Sequence, residues 1–101
     1  MANENNIALG VMQIAASNAT DTCTFKRAYK EIPNYVRLTA NNLSPSLVRK
    51  GEVMWQQLVR NIKSHDKSPG NYIYEGFLTH VPKVGYRITP RGKRHLKSKG
   101  L

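Results

Sequence analysis

Arg49, Lys50, Gln56, Gln57, Arg60 and Lys63 are concentrated in one short stretch of the chain. Their side chains are suited to a specific kind of chemistry. Guanidinium and ammonium groups pair with phosphate, while forked guanidinium and amide groups match the donor and acceptor patterns on base edges. On a helix that advances about 100° per residue, Arg49, Gln56, Gln57, Arg60, Lys63 and Ser64 gather on one side. Met54, Trp55, Leu58, Val59 and Ile62 gather on the other, the apolar stripe that a core-facing helix needs. The same pattern suits an ordinary solvated helix, so the rest of the chain has to decide.

Charge favours a polyanion. The 101 residues carry a formal charge of +10. No Lys or Arg precedes Lys26, and no Asp or Glu follows Glu75. Like charge on a compact domain repels itself until a partner neutralises it, and nucleic acid is the commonest such partner. Lys83 and Arg87, then Arg91, Lys93, Arg94 and Lys97, supply further phosphate candidates towards the end of the chain. Lys26, Arg27 and Lys30 supply three more in the first half. A membrane partner is not expected, since there is no basic amphipathic helix with a large aromatic face.

Other chemistries find less support. Cys23 is the only cysteine, so no internal disulfide forms and a reducing, cytoplasmic setting fits. Under that reading Asn18-Ala19-Thr20 and Asn42-Leu43-Ser44 match the glycosylation pattern by chance. The apolar run Ile7 to Ala16 is too short to span a bilayer and lacks a positive flank. His65, Asp66, His80 and His95 follow no zinc spacing, and Glu52 and Glu75 have no partner carboxylate nearby in sequence. No enzyme activity, metal or cofactor is expected. Trp55, Tyr72, Tyr74, Phe77 and Tyr86 read as core aromatics rather than stacking platforms, Trp55 most firmly.

The elements that must position the basic side chains can be laid out in order. Ile7, Val11 and Ile14 predict a core helix from Glu4 to Ser17. A polar turn from Asn18 to Thr24 then offers several caps for a second helix, Phe25 to Ile32, which Pro33 should end. Tyr35 to Thr39 reads as a short strand or a loop. Ser44-Pro45 looks like a helix start. Gly51 leaves two choices, one bent helix from Pro45 to His65 or a short turn ahead of the main helix. A break follows from His65 to Gly70, then a helical turn over Asn71 to Gly76. Phe77–Val81 and Tyr86–Thr89 predict a hairpin, with Gly85 where a positive φ is easiest. Thr89-Pro90 opens a short basic helix carrying Leu96.

One domain over residues 1–97 with a frayed tail at 98–101 is expected, in the α+β class and mainly helical. Three helices closed by a two-stranded hairpin and a short last helix is the winged helix-turn-helix layout, in which the third helix enters the major groove and the hairpin touches the backbone.

From Gly51 onward the chain also resembles the winged-helix N-terminal domains of restriction endonucleases that cut modified DNA, the Mrr type. The matching residues are Gly51-Glu52, Trp55 and Arg60, then Glu75-Gly76-Phe77-Leu78 and Gly85-Tyr86-Arg87-Ile88-Thr89-Pro90-Arg91-Gly92. No nuclease domain follows in this sequence, so cleavage is not carried over, and the stretch Asp66 to Gly70 is longer than a direct helix-to-wing junction. The resemblance implies a double-stranded DNA-binding module comparable to small phage or prophage transcriptional regulators. Pairing into a homodimer would double its contacts. Docking to a protein partner in a nucleoprotein assembly, and RNA binding, are the competing readings.

Overall fold

A computed structural model describes residues 2–101. It is α+β: α1 (Glu4–Ala16), β1 (Thr22–Thr24), α2 (Phe25–Tyr35), α3 (Ala40–Leu43), α4 (Met54–Ser64), β2 (Leu78–Val81), β3 (Gly85–Ile88) and α5 (Pro90–Ser98). The three strands form one antiparallel sheet in the order β1-β3-β2.

The most deeply buried helix is α1. Asn3 caps it, accepting from the backbone N–H of Asn6, whose own side chain returns the bond to Asn3. Ile7, Val11 and Ile14 are buried as their spacing predicts, with Ala8, Met12 and Ala15 beside them. Packed on α1 are α2, α4, α5 and the sheet. The α4 residues Trp55, Val59 and Ile62 are buried one and two turns apart and complete the core.

The polar segment before α2 holds a strand the sequence reading missed. Cys23 lies opposite Tyr86 in the β1–β3 register and is fully buried. Three residues are too few for an alternation to show, so long-range pairing decides the conformation. Thr24 still caps α2, accepting from the N–H of Arg27.

At Gly85 and Gly92 there is no room for a side chain. A Cβ at Gly85 would overlap the Cys23 carbonyl oxygen, and one at Gly92 would overlap that of Phe77. The first contact lets β1 close on β3, and the second lets α5 pack on the hairpin's base.

Two further expectations are corrected. Pro33 does not end α2, which runs on to Tyr35; Pro33 sits in the last turn, where its missing N–H removes only one bond near the end of the helix. Ser44-Pro45 does not open a helix: the Ser44 hydroxyl donates back to the Asn41 carbonyl, and Pro45 bridges Val53. A compact loop therefore precedes α4, the second of the two choices, while the strand considered over Tyr35–Thr39 is absent and a four-residue helix, α3, follows that segment. In the hairpin turn, closed by Val84 N–H to the Val81 carbonyl, Gly85 takes the positive φ expected of it, 156°, and Lys83 at φ 63° is a second residue of that kind. Gly100 N–H meets the Lys97 carbonyl and Leu101 N–H meets that of Leu96, the paired bonds of a glycine-terminated helix end.

Candidate nucleic-acid interface

The outward side of α4 is uncovered. Lys63 and Ser64 are exposed, and Gln56, Gln57 and Arg60 are half-buried at its edges. The loop over 45–53 is fastened to this helix by a small network around Ser46. The Ser46 hydroxyl donates to Gln57 Oε1 at 2.5 Å and accepts from the N–H groups of Val48 and Arg49. Ser46 N–H donates to the Glu52 carbonyl, and Met54 N–H to that of Ser44. Gln56 Oε1 accepts from Val53 N–H and so closes the first turn of α4.

These bonds change what the two amides can offer. Bidentate reading of adenine needs both the oxygen and the nitrogen of an amide. Each glutamine spends its oxygen inside the protein and leaves its NH₂ as a donor. Both therefore suit acceptors, such as phosphate oxygens or the O6 and N7 edge of guanine, rather than the paired pattern of adenine.

Arg60 is held from two sides. Its Nε and Nη2 both reach Glu52 Oε2, at 3.0 and 2.9 Å, and its guanidinium carbon lies 5.9 Å from the Tyr29 ring centre. Tyr29 in turn meets Trp55 edge-on. The hydrogen bond that Arg60 donates to Glu52 is the largest influence on it and raises its pKa further. Burial raises that of the Tyr29 hydroxyl.

Arg49, Arg60, Lys63 and Ser64 meet Phe25, His80 and Tyr86 around one shallow depression of about 280 Å³. The loop, α4, the start of α2 and the sheet all contribute. Tyr86 fixes the sheet to α4: its buried hydroxyl donates to the Val59 carbonyl at 2.6 Å, and burial raises its pKa. Phe25 N–H donates to the Val84 carbonyl, which docks α2 on the hairpin turn. The sequence reading treats His80 only as a metal ligand and passes over Phe25 and Ser46; Phe25 and His80 meet each other from far apart in sequence, whereas Ser46 bonds within its own loop and to the neighbouring helix at Gln57.

The other basic candidates divide. Lys50 is exposed beside Arg49, and Lys83 is exposed at the hairpin tip. Arg87 faces away from the depression: along β3, Tyr86 and Ile88 are buried and Arg87 between them is exposed, paired across the sheet with Thr22 and Thr79. Arg91 is a structural clamp, with Nε donating to the Glu75 carbonyl at 2.7 Å and its guanidinium over the Phe77 ring. Lys93 pairs with Asp21. Arg94 is exposed on α5, the helix that packs on α1. In α2, Arg27 is held by Glu31, whose carboxyl it keeps below the usual range, while Lys26 and Lys30 are exposed.

Every carboxylate has a partner. Four are in ion pairs, Glu4 meets the His65 ring Nδ1 at 2.6 Å, and Glu75 accepts from Gly70 N–H. Of the sixteen Lys and Arg side chains, only Arg27, Arg60, Lys63 and Lys93 hold a carboxylate among the described residues. The remaining twelve form an unbalanced positive surface. Cys23 belongs to the core, where burial pushes its thiol up to about 12, so the thiol stays protonated and unreactive. Among the described residues no helix is long and apolar enough to cross a membrane. No protein-family model, curated protein or solved structure matches this chain.

Proposed function

We propose that this chain is a sequence-specific double-stranded DNA-binding protein of winged helix-turn-helix type, acting as a transcriptional regulator. In this reading α4 lies in the major groove and the β2–β3 hairpin rests on adjacent backbone. The order α1-β1-α2-α3-α4-β2-β3-α5 with a β1-β3-β2 sheet is compatible with that fold and supports the reading. It is also consistent with the resemblance to the Mrr-type N-terminal domains.

One observation carries the reading: Arg49, Arg60 and Lys63 converge with His80 on a single depression between α4 and the sheet, on a face the protein itself leaves open. In the proposed complex, Arg49, Lys50 and Lys83 take phosphates. Arg60 reads a base edge, its direction set by Glu52 and Tyr29, and the NH₂ groups of Gln56 and Gln57 donate to nearby acceptors. The cations of α5, on a different side of α1, add salt-dependent attraction without reading sequence. Two modules on symmetric half-sites would multiply the modest specificity of one. The reading assigns binding and no reaction.

Selection of bound sequences from a random duplex pool tests it. A defined motif should emerge for the wild type, and Arg60→Ala should blur one position of that motif. Recovery of no motif, or of one that Arg60→Ala leaves intact, would count against the role given to α4.

A further inference from the structure

The loop ahead of α4 ends in two bare aliphatic side chains. Leu47 is 95% exposed and Val48 76%, the two most exposed of the large hydrophobic residues. This is not a slack segment. The Pro45–Val53 bridge closes its base, and the Ser46 hydroxyl pins the N–H groups of Val48 and Arg49. A chain that fixes Leu and Val in water holds apolar surface ready for a partner.

Charge and size select among partners. Arg49 and Lys50 follow the tip directly and are exposed. The only carboxylate in the loop, Glu52, is turned onto Arg60. An anionic partner is favoured on both counts. Two side chains are also far short of the roughly 800 Å² that each side of a stable protein interface buries. Base-edge contact is different, because there a single apolar side chain against a thymine methyl distinguishes one base pair from another. The loop runs straight into the first turn of α4, with Met54 N–H on the Ser44 carbonyl, so a groove that receives α4 also receives the tip.

We infer that Leu47 and Val48 form a second reading element, which contacts thymine methyl groups in the major groove beside α4 while Arg49 and Lys50 hold the flanking phosphates. This inference rests on the duplex-binding reading above. It adds to that reading an apolar component of specificity that charge does not supply.

The test compares one A·T-rich duplex with the same duplex carrying uracil in place of every thymine, which removes only the methyl groups. Wild-type protein should bind the thymine duplex about fourfold more tightly for each methyl covered. Leu47→Ser combined with Val48→Ser should bind both duplexes alike, with an unchanged salt slope and an unchanged melting curve. Equal wild-type affinity for the two duplexes, or a preference that survives the double substitution, overturns the inference and leaves duplex binding standing. Failure of the wild type to bind either duplex at any salt concentration removes the duplex-binding reading itself. Sedimentation supplies the remaining arm: a wild-type dimer that the double substitution makes monomeric would give the tip to a second copy of the chain and overturn the inference.

Discussion

Salt dependence should reveal how many side chains meet phosphate, and the structure sets the number in advance. Arg49 lines the depression, and Lys50 and Lys83 are exposed on the loop and the hairpin tip; none of the three has a carboxylate partner among the described residues. Lys63 lies at the depression too, held by Asp66 at 2.7 Å, while Arg60, held by Glu52 at 2.9 Å, is assigned to a base edge and is not counted. Between three and four phosphates are therefore neutralised. With a slope near −0.9 per phosphate, log affinity should fall with log salt at about −2.7 to −3.6. A fourfold rise in salt then weakens binding about 40- to 150-fold. Fluorescence anisotropy on a labelled duplex over that range measures it. Arg49→Ala should reduce the slope by about 0.9. Arg91→Ala should leave it unchanged, because that guanidinium is committed to the Glu75 carbonyl and the Phe77 ring. A wild-type slope shallower than about −1, or equal changes from the two substitutions, would refute the division between interface and clamp.

Three other outcomes follow from the core and its edges. Gly85→Ala places a methyl on the Cys23 carbonyl oxygen and should separate β1 from β3, lowering the melting temperature by ~10 °C or more in circular dichroism, as a loss of two or more kcal/mol would in a domain this small. Cys23 should resist thiol reagents in native buffer and react only when denaturant exposes it, as mass spectrometry would show. His95 stacks on Phe77, and burial, then Lys99 and Arg91, lower its pKa from 6.5. The unfolded chain then binds this proton more readily, so His95 contributes stability above the unfolded value that is lost as pH falls towards the folded one. Melts from neutral to mildly acid pH should show that loss, and His95→Phe should lessen it.

Much of this was visible in the residue pattern where periodicity is long. The stripe of Trp55, Val59 and Ile62 is buried as its spacing requires, and both hairpin strands fall within a residue of their expected ends. Two cap-plus-proline signals of the same form had opposite outcomes. At Thr89-Pro90 the threonine hydroxyl accepts from Gly92 N–H and the helix begins. At Ser44-Pro45 the hydroxyl turns back to Asn41, and pairing with Val53 prevents a helix. Local chemistry proposes a start, and distant partners decide it. The interface follows the same division. Arg49, Arg60 and Lys63 were legible as cations on one face, but the oxygens of Gln56 and Gln57 are taken up by the loop, and Arg91 by the turn it clamps. Asn42 matched a glycosylation triplet, yet it is fully buried, bonded to the backbone of Ala2 and Thr39. Val53 and Thr39 lie within a turn of their partners, but Ser46, Glu75 and Ala2 are 11, 16 and 40 residues from theirs.

Amide chemical-shift mapping with unlabelled duplex tests the central proposal most directly. Shifts should concentrate on Arg49, Lys50, Arg60, Lys63 and Ser64, extend to His80 and Lys83, and leave the buried side of α4 at Val59 and Ile62 less perturbed. Shifts confined to α5, or none at excess duplex, would contradict the assignment of α4 as the element that meets DNA.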